Sequence, residues 1–364
     1  MRSHHLDRRA PRKAMFRVAS RLCGLHAQVM SSAELTLWAR VEGMKPDDVR
    51  NALWIDRTLI KTWMVRGTLH LLPASDFPLW QAALSTYDHY RKPYWLKNFG
   101  VTHEQIDLMI AAIAEALDGT MLTRNEIAAR VGEITGSAEL GEKLQESWGV
   151  LLKPATYLGH VCFAPSRGQN VRFIRPDSWL ANYTRVDPEE ALRETTQRYF
   201  ALNGPATTGD FAHFCGLKPA QAKKRVAALG DALAPVELDG STAYVLSDHL
   251  RGVSSAEPTQ IVRLVPAFDQ YVISASRHAA KLLPGTIARS VIYRPQGWLS
   301  PVLLVNGRME GLWSYEKSPK ALSVSIQLFR RLPKWARAQA EEEANRLSEY
   351  FGLPLRFAIM NVHA

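Results

Sequence analysis

The sequence predicts an α+β protein made of tandem winged-helix units followed by a small β-barrel-like domain with a C-terminal helix. Two observations point to this. A helix, helix, strand order recurs three times before Arg251, and beyond it the pattern changes to short strands closed by one long helix. With 364 residues the chain can bury a substantial core and divide into two or three compact units. The implied segments are 13–105 (N-terminal helices and first winged helix), 106–187 (second), 188–251 (third) and 252–364 (the β-barrel-like domain).

In the first occurrence, Ser31 followed three residues later by Glu34 has capping-box spacing and predicts a short helix over Ser32 to Arg40. Pro46 with Asp47 and Asp48 marks a second helix start, the carboxylates lying at the positive end of the helix dipole. The run Trp63 to Pro73 then alternates as a strand. That alternation places Arg66, Thr68 and His70 on one face, with Val65, Leu69 and Leu71 on the other.

The second occurrence has a threonine-capped helix over Thr123 to Val131, then strand-like pieces from Gly159 to Ile174 around a turn at Pro165 to Gln169. The third is the clearest. Helices span Glu189 to Leu202 and Asp210 to Cys215, and Pro219 opens another whose exposed positions include Lys223, Lys224 and Arg225. Pro235 to Leu246 follows, broken at Asp239-Gly240, a strong two-residue hairpin signal. A hairpin directly after a basic helix is the order of a recognition helix and its wing.

Beyond Arg251, Ile261 to Ala267 is apolar, Pro301 to Ser314 is interrupted by Asn306-Gly307, and Ala321 to Phe329 alternates through Leu322, Val324, Ile326 and Leu328. Pro333 opens a helix reaching Tyr350 and ended by Gly352, with Ala336, Ala340, Ala344 and Leu347 as its apolar stripe.

A hydrophobic fraction of 46% and a charged fraction of 22% describe a globular chain. The basic stretch Met1 to Arg12 has no apolar signal core, and no run reaches transmembrane length, so the expectation is a cytoplasmic protein, nucleoid-associated when bound to DNA, with no membrane partner. Cys23, Cys162 and Cys215 lie far apart in no zinc-finger spacing and read as small buried side chains. A net charge of +10 favours a polyanionic partner through counterion release, although charge alone does not decide it. No glycine-rich phosphate loop or metal cluster indicates an ATPase or nuclease.

Five stretches, Leu22–Gln28 (LCGLHAQ), Ile60–Pro73 (IKTWMVRGTLHLLP), Leu264–Tyr271 (LVPAFDQY), Asn306-Gly307-Arg308 and Glu341–Leu355, resemble the AlkZ/YcaQ family of bacterial DNA glycosylases in collinear order along nearly the whole chain. The resemblance implies three winged-helix units and a β-barrel-like domain around a basic channel for duplex DNA. It also implies excision of N7-alkylguanine and related bulky adducts, interstrand crosslinks among them, without metal or cofactor. The expected partner is double-stranded DNA carrying alkylated bases, and the expected state is a monomer with no obligate protein partner. The family's signature is a glutamine, an aliphatic residue, then glutamine or aspartate. The matching positions are His26, Ala27 and Gln28, so the first polar residue departs from the best-known form.

Residues two apart share a side in extended backbone, so His26 and Gln28 are expected to line one wall, with Gly24 breaking the preceding helix. Alkylation at N7 makes the purine a good leaving group, leaving the enzyme to stabilise a cationic sugar and present water to C1′. A neutral imidazole accepts the water proton, whereas an amide only orients water. His26 is therefore the candidate water activator and Gln28 its orienting partner. The competing reading is that both merely satisfy local backbone groups at a helix break.

With the resemblance, Arg66, Thr68 and His70 become candidate phosphate contacts, as do Lys223, Lys224, Arg225 and Arg308, although each set also reads as a solvated face. Asp269 is expected to anchor a loop, with stabilisation of the cationic sugar as the alternative. The competing function classes are a winged-helix transcriptional regulator without catalytic activity and a nucleic-acid-associated structural protein that has lost catalysis. DNA binding carried by many cations is expected to weaken steeply between about 50 and 200 mM salt. A flat response in a duplex-binding titration would remove the basic-channel reading.

Overall fold

In the computed structural model, which describes residues 1–254, 260–295 and 297–361, the chain packs as two compact units. One comprises residues 50–197; the other joins 1–49 to 198–364. Residues 255–259, 296 and 362–364, which fall in the expected 252–364 segment, lie outside the described residues. No helix among the described residues is long and apolar enough to cross a membrane.

Within residues 50–197, strands Leu59–Trp63 and Leu69–Pro73 pair as an antiparallel hairpin. The intervening Val65–Gly67 is a single helical turn with Arg66 and Gly67 both left-handed (φ 58° and 66°), which corrects the continuous strand expected over Trp63 to Pro73. Arg66 consequently sits on the turn, Thr68 closes it and His70 is buried at zero exposure in the returning strand. The three do not share a strand face. Glycine is needed at position 67 for its backbone angle and for space, since a Cβ there would lie 3.2 Å from both Lys153 Nζ and the Tyr157 hydroxyl.

The Thr123 cap forms as expected. Its hydroxyl accepts from the Glu126 amide while the Glu126 carboxylate accepts from the Thr123 amide, and the resulting Arg124–Thr135 helix ends at Gly136 in the left-handed conformation. Helix Ala138–Glu146 packs against it. Strands Cys162–Arg167 and Asn170–Ile174 form the hairpin that follows, with Leu122–Thr123 pairing onto the second of them. Trp63, Phe163 and Phe173 meet with ring centroids 4.8–5.8 Å apart, so aromatic packing ties the two hairpins of this unit together.

In the other unit, helix Met30–Trp38 begins two residues before the expected start. Val29 occupies the N-cap without a side-chain bond, so the Ser31/Glu34 capping box does not form. Ser31 instead pairs with Tyr315, and burial pushes the Glu34 carboxyl above its ordinary range. Helices Thr208–Cys215 and Pro219–Ala227 precede an antiparallel hairpin of Leu233–Leu238 and Ser241–Leu246, whose turn residues Asp239 and Gly240 both have positive φ. Helix Pro188–Asn203, the long helix read from the sequence, crosses the division between the units.

The expected barrel is not there: the C-terminal strands form an open five-stranded mixed sheet. Its order is Leu355–Asn361, Leu322–Leu328, Arg308–Lys317, Val302–Val305, Val262–Val265, and the first and last strands do not pair. The reason lies in the helix Lys334–Phe351. It packs on Val262–Val265, on Leu322–Leu328 and on Leu355–Asn361, reaching both edge strands and covering apolar surface that barrel closure would otherwise hide. Its stripe of Ala336, Ala340, Ala344 and Leu347 is fully buried.

The opposite face carries a second cluster that includes Leu6, Val265, Val272, Ile292, Val302, Leu304 and Met309. All four residues of Val302–Val305 are accordingly buried, which alternating side chains achieve only in a sheet covered on both faces. The Leu355–Asn361 strand pairs parallel to Leu322–Leu328 in unbroken register from Leu322↔Leu355 to Leu328↔Asn361, a connection that requires the intervening helix as crossover. Gly311 packs so tightly in the sheet that an added Cβ would come 2.6 Å from the Gln327 carbonyl oxygen. Gly311→Ala is therefore expected to lower stability by about 1–3 kcal/mol, read as a lower urea midpoint; an unchanged midpoint would contradict this packing.

Candidate functional site

Helix Met15–Arg21 ends where Cys23 and Gly24 both turn left-handed (φ 57° and 89°), reversing the chain into the two-residue strand Leu25–His26. This is the break expected at Gly24. The reversal is held from outside the segment: Gln270, 1% exposed, donates from Nε2 to the carbonyl oxygens of Gly24 (2.5 Å) and Leu22 (3.3 Å). The segment's geometry is thus set by a side chain some 250 residues away in sequence, and two of the matched stretches meet here.

Asp269, beside Gln270, is fully buried. Its carboxylate accepts two bonds from the Arg40 guanidinium (2.7 and 2.8 Å) and one from the Tyr271 amide (2.9 Å), which caps the short helix Gln270–Ser274. Arg40, also at zero exposure, donates further to the carbonyl oxygens of His4 (2.8 Å) and Thr36 (3.0 Å). Asp269 thereby ties the helix that carries Gln270 to the end of helix Met30–Trp38. A bidentate, fully bonded pair of this kind holds geometry more than it adds net stability.

On the other side of Asp269, Phe268 has left-handed backbone (φ 58°), unusual for a bulky residue. Its ring stacks on the His26 imidazole, centroids 4.8 Å apart and planes 12° from parallel. Trp298 meets the same Phe268 ring edge-on at 5.0 Å. His26 is 6% exposed, whereas Gln28 is open to solvent. The two candidate residues are adjacent but do not line one wall equally: the imidazole is packed under Phe268 and the amide reaches out.

Lys223 and Lys224 are exposed on helix Pro219–Ala227, and Arg225 is half-buried. Arg308 turns back onto protein, donating to the carbonyl oxygens of Lys281 (2.8 Å) and Leu283 (3.4 Å), with Glu310 3.6 Å away. Arg66 and Thr68 are half-buried at their hairpin turn in the other unit, beside the Lys153 amine, whose pKa burial lowers. His70 Nδ1 lies 3.0 Å from the Thr68 carbonyl oxygen within that hairpin. The charge is unevenly shared. The unit that contains His26 has 29 Lys and Arg against 18 Asp and Glu, whereas residues 50–197 have 16 against 17. Among the described residues, no group of three or more His, Cys, Asp or Glu could hold a metal ion.

Helix–helix–hairpin units joined to a helix-covered mixed sheet define a multi-unit winged-helix protein of α+β class. Comparison with known proteins is more specific. The model of the DNA glycosylase AlkZ-like family matches residues 19–350, and the chain belongs to that family. It is similar to the interstrand DNA cross-link repair glycosylase of Streptomyces sahachiroi, 34% identical over 303 residues covering 81% of each protein. The solved structure of the Streptomyces sahachiroi DNA glycosylase AlkZ superposes with a TM-score of 0.87 at 32% identity, covering 98% of this chain and 96% of that one.

Sequence reasoning missed Arg40, Phe268, Gln270 and Trp298. Phe268 and Gln270 stand in the matched stretch Leu264–Tyr271, where only Asp269 drew attention; Arg40 ends a helix as an ordinary surface arginine would. Replacing Asp269 with Ala leaves the Arg40 guanidinium buried without its carboxylate, at an expected cost of about 3–5 kcal/mol, whereas Gln270→Ala should cost less. Thermal or urea unfolding of the two variants checks this order, and equal small losses would show that the pair does not hold the site.

Proposed function

We propose that the protein is a monofunctional DNA glycosylase that hydrolyses the N-glycosidic bond of alkylated purines such as N7-alkylguanine in double-stranded DNA, bulky adducts and interstrand crosslinks included, acting as a cytoplasmic monomer. The observation that carries this is the superposition of 98% of the chain on a DNA glycosylase. The related protein named for interstrand cross-link repair supports the bulky-lesion range. The surplus of cations in the unit that contains His26 suits a polyanionic substrate.

In this reading, water adds through oxygen to C1′ while the bond from C1′ to N9 breaks. The bonding pair goes to N9 and cancels the positive charge of the alkylated ring, so no acid is needed for the leaving group. The His26 imidazole takes the water proton, Gln28 orients the water through its amide oxygen, and the proton passes to solvent. Free alkylated base and an intact abasic strand result. Since no amine is the nucleophile, borohydride should trap no protein–DNA adduct.

Duplex DNA bearing N7-methylguanine tests the reading directly, by chromatography of released base. His26→Ala is expected to slow single-turnover excision by about 10²-fold or more with little change in duplex binding. His26→Gln should recover part of that loss. A neutral imidazole accepts a proton and an imidazolium does not, so the wild-type rate should rise with pH across the imidazole range. Gln28→Ala should keep this acid limb and His26→Gln should lose it. Sequence-selective duplex binding with no released base would favour a transcriptional regulator, and an acid limb that persists in His26→Gln would assign the proton to another group.

A further inference from the structure

Trp298 is 41% exposed, yet it is anchored. Its backbone is fixed by the Tyr293–Leu299 bridge, by the Arg294 amide donating to the Trp298 carbonyl oxygen (2.9 Å) and by the Ser300 amide donating to the Ile292 carbonyl oxygen (3.1 Å). Ile292 is fully buried and the Tyr293 hydroxyl donates to the Val272 carbonyl oxygen (2.8 Å). One ring contact joins Trp298 to Phe268 and one more joins Phe268 to His26. Phe268, between them, has a left-handed backbone that a bulky residue rarely adopts. Arg294, whose amide bonds the Trp298 carbonyl oxygen, is exposed.

An indole held partly open one aromatic ring away from a candidate water-activating residue, with an exposed guanidinium on the residue whose amide bonds the Trp298 carbonyl oxygen, is a combination that suits a base face and a neighbouring phosphate. We infer that Trp298 contacts the alkylated purine itself, its indole face selecting the positive charge that N7 alkylation places on the ring, while Arg294 binds a flanking phosphate. This rests on the glycosylase reading and adds to it a source of specificity. Unmodified guanine is neutral and gains nothing from the cation–π contact, so the residue that selects the lesion lies outside the His26–Gln28 pair. Trp is the strongest of the aromatic side chains in this role.

The test is equilibrium binding of the full chain to two labelled duplexes that resist hydrolysis. One carries N7-methylguanine stabilised by a fluorine at C2′ of the sugar, which is cationic; the other carries 7-deaza-7-methylguanine, which has the same outline and no charge. Wild type is expected to prefer the cationic duplex by about 5–10-fold. Trp298→Leu, which keeps apolar bulk over Phe268, should weaken the cationic complex more than the neutral one and so reduce the preference to below about twofold. Trp298→Phe should fall between, and if the leucine variant does not fold, the phenylalanine variant decides. Arg294→Ala should weaken both complexes alike and lower the salt dependence by about one phosphate contact.

A full preference in both Trp298 variants, or none in wild type, overturns the proposal. Release of N7-methylguanine from an ordinary duplex is measured separately. A charge preference that depends on Trp298 but comes without release removes the glycosylase reading and leaves the contact. Release without any charge preference does the reverse.

Discussion

Arg40 and Asp269, 229 positions apart and both at zero exposure, meet in a bidentate ion pair on which the rest of the candidate site depends. Removing two charges from water is costly, and only full hydrogen bonding makes the arrangement tolerable. Here the demand is met almost entirely by backbone. Arg40 serves the carbonyl oxygens of His4 and Thr36, and Asp269 serves the Tyr271 amide. Because every bond has a fixed direction, the pair sets the position of the residues on either side of Asp269. Gln270 then holds the reversal at Leu22 and Gly24 from one side, and Phe268 covers the His26 ring from the other.

Much of the fold was legible in the sequence because its signals are local. The Thr123 cap needs only Glu126 three residues on, the Asp239-Gly240 turn needs only its own backbone preferences, and the alanine stripe of Lys334–Phe351 appears at helical spacing. Two misreadings concern single elements and differ in cause. Ser31 and Glu34 have capping spacing, but tertiary contacts with Tyr315 and burial of Glu34 take those side chains elsewhere. The alternation over Trp63 to Pro73 looked like one strand because Arg66 gives no warning that it occupies a left-handed turn, which Gly67 alone announced. The barrel failed for a different reason: strand count and alternation do not say whether a sheet closes, and the helix that covers it is itself the alternative to closure.

The site was half legible. His26 and Gln28 were located from the matched stretch, but their unequal exposure follows from Phe268, whose contact with His26 spans most of the chain. The same holds for charge. A sequence total of +10 describes a generally basic protein, whereas the folded chain concentrates that surplus in the unit containing His26 and leaves residues 50–197 close to balance. An even spread would give a weak, uniform field; concentration gives a local one that draws a polyanion to one unit.

That unit is assembled from two distant pieces of chain, residues 1–49 and 198–364, while residues 50–197 are contiguous. The difference matters during synthesis. At about 5–20 residues per second, the 229 positions between Arg40 and Asp269 take roughly ten to fifty seconds to emerge. Within that interval the contiguous unit gains its last residue at position 197, but until Asp269 and its neighbours emerge the His26 segment has neither its Gln270 brace nor its Phe268 cover, and Arg40 has no carboxylate. Ordering of the candidate site is therefore a late, long-range event, the kind that loop-closure entropy makes slow, and a nascent chain that has emerged only to residue 197 lacks the residues that hold the site.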